Sequence, residues 1–165
     1  MDFIQFYKCF PDIALRETYI LTVSKNDAEV PEGDYFVIEN YCLDKTCDCC
    51  KVMINVIPKN SKHDIFATIG FGWESLEFYR KWAYGDNEIA IMMEGTHVEI
   101  GGIQSKYTRF FLEQLNLIIL QDKDFTGMIK RHYRLFKNML EKLKSTDFCP
   151  CGCGRKYRRY HDYSK

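Results

Sequence analysis

Near the C-terminus three of five consecutive residues are cysteines: Cys149, Cys151 and Cys153, separated by Pro150 and Gly152 and followed by Gly154. No other feature limits the fold of this chain as sharply. Thiols at alternate positions converge only where the backbone loops very tightly, and glycine relaxes φ enough to allow it. From Asp147 onward the chain has too few apolar residues for a core of its own. An ordered state there needs folding energy from a bound metal. Zinc suits the donor types, since it takes four thiolate or imidazole ligands in a tetrahedron at ~2.0–2.3 Å. His161, eight residues beyond Cys153, adds an imidazole to the three thiols.

The chain has 8 cysteines among 165 residues, and their meaning depends on the compartment. Asp2 stands where a signal peptide carries basic residues, and Met1 to Phe10 has no sustained apolar stretch. The most apolar window, Leu112 to Leu120, is broken by Glu113, Gln114 and Asn116 and is far shorter than the ~20 residues that span a bilayer. The expectation is a cytoplasmic chain with no membrane span. Reduced thiols in that setting favour metal over disulfides.

Cys42, Cys47, Cys49 and Cys50 crowd a second segment, YCLDKTCDCCKV. One reading is a second metal site using Cys42, Cys47 and Cys49, closed by Cys50, by Cys9 or by His63. Another is redox chemistry, because Cys47 and Cys50 have Cys-x-x-Cys spacing. A thioredoxin-like pair, however, sits at a helix N-terminus that lowers its thiolate pKa, and a strand pattern follows here. A third reading is a turn that holds reduced cysteines.

The rest of the chain divides into a strand-rich part and a helical part. Residues 17–23, 34–42, 51–57 and 64–70 are β-rich runs separated by turn chemistry such as Pro31-Glu-Gly33 and Pro58-Lys-Asn-Ser61. In KVMINVI, Val52, Ile54 and Ile57 do not alternate cleanly, which suggests cover on both faces. A short helix is expected over 74–84 and a further strand over 88–100. Apolar residues at three-and-four spacing then predict a helix over 105–121, with Phe110, Phe111, Leu115 and Ile118. A second begins near Asp124 as N-cap, with Phe125, Ile129, His132, Phe136 and Leu140 down one face. Separate blocks of strands and helices make the class α+β, with mainly antiparallel strands in the first two thirds. The expected division is a body of residues 1–146 and a zinc knuckle of residues 147–165.

Phe148-Cys-Pro-Cys-Gly-Cys-Gly-Arg-Lys-Tyr-Arg-Arg-Tyr-His161 resembles the SEC-C motif, a zinc knuckle at the C-terminus of the SecA translocase and of many otherwise unrelated proteins. That motif runs Cys-Pro-Cys-Gly-Ser-Gly-basic-basic-Tyr, then Cys followed by Cys or His. The resemblance implies Cys149, Cys151 and His161 as ligands. Tyr160 stands where the motif has its third cysteine, and Cys153 where it has serine. Four ligands remain only if Cys153 takes the role that Tyr160 cannot fill. Tyr41-Cys42, Cys47-Asp48-Cys49, INVI, ATIGFGWESLEFY and IKRHYRLFK are similar to segments of small bacterial proteins that end in this motif and have no assigned function. Cys42, Cys47 and Cys49 match that pattern, whereas Cys50 replaces a basic residue.

Charge points to what the tail meets. The 23 basic and 23 acidic residues balance overall. From Asp147 onward five basic residues face two acidic ones, which leaves the body three units negative. A basic tail on a mildly acidic body suggests contact with anionic surfaces. No phosphate-loop, nucleophile-elbow or His-Glu-x-x-His signature occurs, and Gly70-Phe-Gly72 lacks the third glycine of a dinucleotide loop. No catalytic residue is therefore assigned. His132 reads as a hydrogen-bonded packing residue, and His97 receives no role. The leading expectation is a zinc-binding adaptor whose knuckle docks onto an acidic protein, with a ribosome-associated or chaperone-like partner implied by resemblance to the SecA tail. One alternative is an enzyme with a thiol or metal site at Cys42–Cys50. The other is weak nucleic-acid binding through Arg155, Lys156, Arg158 and Arg159, for which three surplus charges are few.

Overall fold

The computed structural model describes residues 2–25, 30–61 and 64–157. Its centre is an antiparallel sheet of β1 (Phe3–Gln5), β2 (Tyr19–Val23), β3 (Gly33–Cys42), β4 (Lys51–Pro58), β5 (Ala67–Gly72) and β6 (Gly95–Val98). The order is β1-β3-β4-β5-β6, and β2 shares the outer edge of β3 with β1. The short helices are α1 (Phe6–Cys9), α2 (Pro11–Glu17), α3 (Leu76–Trp82) and α4 (Asn87–Met93). The long ones are α5 (Thr108–Gln121) and α6 (Lys123–Lys142). This is the α+β arrangement that the sequence pattern predicts.

Period-two alternation sorts the strand residues by face. Val52, Ile54 and Val56 of β4 lie with Ala67, Ile69 and Phe71 of β5 in the buried core. Phe111 and Leu115 of α5 and Ile129, Phe136 and Leu140 of α6 close that core. Aromatic contacts tie the two layers: Tyr35 meets Phe111 at 4.9 Å and Tyr41 meets Phe136 at 5.6 Å. The expected cover on both faces of β4 holds, because Lys51 and Asn55, on its opposite face, are also buried.

A charged network crosses the core. His132 stacks on Phe6 at 4.2 Å, its Nδ1 lies 2.9 Å from Glu39 and its Nε2 lies 2.9 Å from Glu17. The Tyr41 hydroxyl is 2.5 Å from the same Glu39 carboxylate. His132 is thus a paired packing residue, as its place on the apolar face of α6 suggests.

Two boundaries differ from the sequence-based expectation. The segment 88–100 is not one strand. Asp86 caps α4 by accepting from the Glu88 and Ile89 N–H groups, and Gly95, at φ +65°, then turns the chain into β6. The N-cap of α6 is Asp122 and not Asp124. Its carboxylate accepts from Asp124 N–H at 3.0 Å and Phe125 N–H at 2.9 Å.

Candidate metal centre

The tail folds back after α6. Asp147 ends a turn from Lys144, Cys149 N–H donates to the Arg155 carbonyl at 2.8 Å, and Phe148 pairs with Lys156. Gly152 and Gly154 occupy φ of +79° and +71°, the left-handed region where a side chain would add strain. This tight loop brings the three sulfurs of Cys149, Cys151 and Cys153 within 4.8 Å of one another. A tetrahedron with Zn–S bonds of ~2.3 Å has edges of ~3.8 Å. The donor set and its spacing therefore fit a thiophilic metal, and the three cysteines could hold one.

Electrostatics separates the three thiols. Burial, then a hydrogen bond with Cys151, pushes the Cys149 thiol up to about 12. The exposed Cys153 thiol is lowered by hydrogen bonds from Cys151 and from the Arg155 N–H. Between the two, a negative charge is favoured on Cys153 at the rim over Cys149 inside. A cation placed among them would reverse this preference and deprotonate all three.

The knuckle shares the core of the body. Tyr157, with no exposed surface, packs in the same apolar cluster as Tyr41, Leu43 and Cys149. Its hydroxyl donates to the Leu43 carbonyl at 2.8 Å, across 114 residues. Leu43 begins the loop that carries the second cysteine group.

In that loop the thiols of Cys42, Cys47 and Cys49 hydrogen-bond to one another. Donation from Cys42 and Cys49, with the Cys49 N–H, holds the Cys47 thiol far below the ordinary range. The same contact with Cys42 first, and burial after, raises Cys49. Ionisation within this group is thus favoured at Cys47 over Cys42 and Cys49. Lys137 of α6 donates from Nζ to the carbonyls of Asp44 and Cys47 and sets its charge near the Cys47 sulfur. Cys50 faces elsewhere: it adopts φ +46°, its carbonyl accepts from Tyr79 at 2.8 Å and its thiol meets the Tyr133 hydroxyl. Cys9, a candidate to close this group, instead feels the charge of Cys151. Burial first and that charge second raise its thiol to about 11.

The structure therefore brings together Cys149, Cys151 and Cys153 in one group and Cys42, Cys47 and Cys49 in another. His161, Tyr160, His63, Arg158 and Arg159 lie outside the described residues. The contacts of Lys137 and Tyr157 are not read from the sequence, although Tyr157 stands at the tyrosine of the SEC-C pattern. Lys137 is one of several lysines on a polar helix face, and Tyr157 sits in a basic run that suggests exposure. Among the described residues no helix is long and apolar enough to cross a membrane. Comparison with known proteins returns no matching family model, no matching curated protein and no matching solved structure.

Proposed function

We propose that this chain is a zinc-binding adaptor in which the C-terminal knuckle, resembling the SEC-C motif, presents basic residues to an acidic protein surface. The observation that carries the reading is the convergence of the Cys149, Cys151 and Cys153 sulfurs within 4.8 Å on a glycine-built loop. His161 is the fourth ligand in this reading. Arg155 and Lys156 project from the same loop, with Lys156 over the Phe148 ring at 4.0 Å. A metal-fixed loop lowers the ordering cost of such contacts, and exposed charges are screened over ~8 Å at physiological salt. In this reading the Cys42, Cys47 and Cys49 group beside Lys137 can take a second zinc ion, although among the described residues only Cys149, Cys151 and Cys153 converge as a set of metal ligands. The body then serves as the platform on which the knuckle is set, in the cytoplasm, and no reaction is assigned to it.

Metal analysis of the full chain tests the first half. The purified protein should hold up to two zinc ions, and the double variant Cys149→Ser with Cys151→Ser should hold one fewer. Equal zinc in both forms refutes the assignment of the tail. Affinity capture from a bacterial lysate tests the second half. Partners recovered by the wild type should be lost with Arg155→Glu and Lys156→Glu and weaken as salt rises. Partners retained equally by both forms would exclude docking through the knuckle.

A further inference from the structure

The face of the sheet turned away from α5 and α6 holds a cavity of about 630 Å³, within the range of small-molecule sites. Lys51, Asn55 and Thr68 rise from β4 and β5 on its floor, with Glu99 beside them. Met53, Trp82, Met93, Ile100 and Ile103 supply apolar walls. We propose that this cavity binds a small zwitterion with an apolar side chain, a free α-amino acid or a close analogue.

Charge and space on the floor lead to that class. Lys51 is 6% exposed and its Nζ lies 2.6 Å from the Glu99 carboxylate. A glycine in the neighbouring strand leaves the room in which the pair sits. Gly70 of β5 lies between β4 and β6, and a Cβ there would sit 2.2 Å from His97 Nε2 and 2.6 Å from the Glu99 carboxylate. The missing side chain is what lets His97 and Glu99 reach across β5 toward Lys51. Burial raises the Glu99 carboxyl, yet His97 and Lys51 together bring it below its ordinary value, so it is charged. His97 Nδ1 lies 3.2 Å from the Gly95 carbonyl, which leaves Nε2 on the Glu99 side at 3.6 Å.

Asn55 supplies the second, independent observation. It is 7% exposed, and its buried Oδ1 has no hydrogen-bond partner among the described residues. A buried acceptor without a donor is costly, and an incoming N–H would remove that cost. Lys51 and Glu99 pair on the floor and cancel there, and Asp2 adds one acidic group at the cavity border. A simple anion would meet Glu99 and a simple cation would meet Lys51, each with a like charge close by. A zwitterion satisfies both, its carboxylate at the Lys51 ammonium and its ammonium at Glu99 and Asn55 Oδ1. The methionine, tryptophan and isoleucine walls take the apolar side chain. Cys49 borders the cavity, but none of the binding groups is a thiol. Zinc and amino-acid binding can therefore fail separately.

Isothermal titration of the full-length protein with leucine, isoleucine, methionine and phenylalanine tests this. At least one should bind in the millimolar range or tighter. Its amide, which lacks the carboxylate, and its N-acetyl derivative, which lacks the ammonium, should each bind at least about tenfold more weakly. Asn55→Leu should weaken binding of the parent amino acid to a similar degree while leaving zinc content unchanged. The proposal is overturned if none of the four binds, if the amide or N-acetyl form binds as well as the parent, or if folded Asn55→Leu binds normally. The comparison of analogues uses wild-type protein only, so it decides the matter even where the variant fails to fold.

Discussion

Tyr157 links the knuckle to the cysteine loop, and its removal should show how much of the molecule depends on that link. The side chain has no exposed surface, and its hydroxyl donates to the Leu43 carbonyl at 2.8 Å. Tyr157→Phe keeps the ring and leaves that carbonyl unpaired, a cost of about 1–3 kcal/mol. Tyr157→Ala also deletes a fully buried ring, and large-to-small changes of this kind cost ~3–5 kcal/mol. For a chain of this length each kcal/mol moves the midpoint by roughly 2–4 °C. Taking ~1.5 kcal/mol for Phe and ~4 kcal/mol for Ala gives falls in Tm of roughly 3–6 °C and 8–16 °C. Thermal unfolding followed by circular dichroism in zinc-containing buffer measures both. A chelator adds a second reading. If metal is what folds the tail, chelation unseats Tyr157 in the wild type as well, and the gap between wild type and Tyr157→Ala should shrink. A Tm for Tyr157→Ala within about 2 °C of wild type in zinc buffer would refute the packing of tail and body into one core.

Two further outcomes follow from the same geometry. Burial opposes charge on His132, but the Glu39 and Glu17 carboxylates outweigh it and hold its pKa above the ordinary 6.5. A raised histidine pKa stabilises the fold fully below the unfolded value and loses that contribution as pH climbs through the folded one. Urea unfolding of the wild type should therefore show stability falling as pH rises above 6.5, and His132→Gln should lack that slope; parallel slopes would exclude His132 as their source. Cys153→Ser should lower zinc affinity as severely as Cys149→Ser if Cys153 is a ligand, and Tyr160→Cys added to Cys153→Ser should restore it. Metal competition titrations that find Cys153→Ser unchanged would show that another group completes the shell.

Local pattern determined a large part of this molecule. The β3 and β4 runs, the apolar stripe of α6 from Phe125 to Leu140 and the tight Cys149–Gly154 loop are legible because each depends on neighbours a few residues away. Alternation, helical spacing and glycine conformation need no partner to be recognised. The segment NEIAIMMEGTHVEI was harder, since its apolar residues suit a strand as well as a helix, and the Asp86 cap with Gly95 decided for helix then strand. The site was legible in its donors and not in its setting. Spacing along the chain groups the cysteines, but only tertiary structure turns Cys50 toward Tyr133 and sets Lys137 against the carbonyls of the loop. Only tertiary structure, likewise, places Tyr157 under Leu43 and lets Glu99 cross above Gly70 to reach Lys51. These contacts join residues dozens of positions apart, and their partners are chosen by shape and by the need to satisfy buried charge and hydrogen bonds. That need arises only once the sheet and helices have packed, so no local window of the sequence carries it.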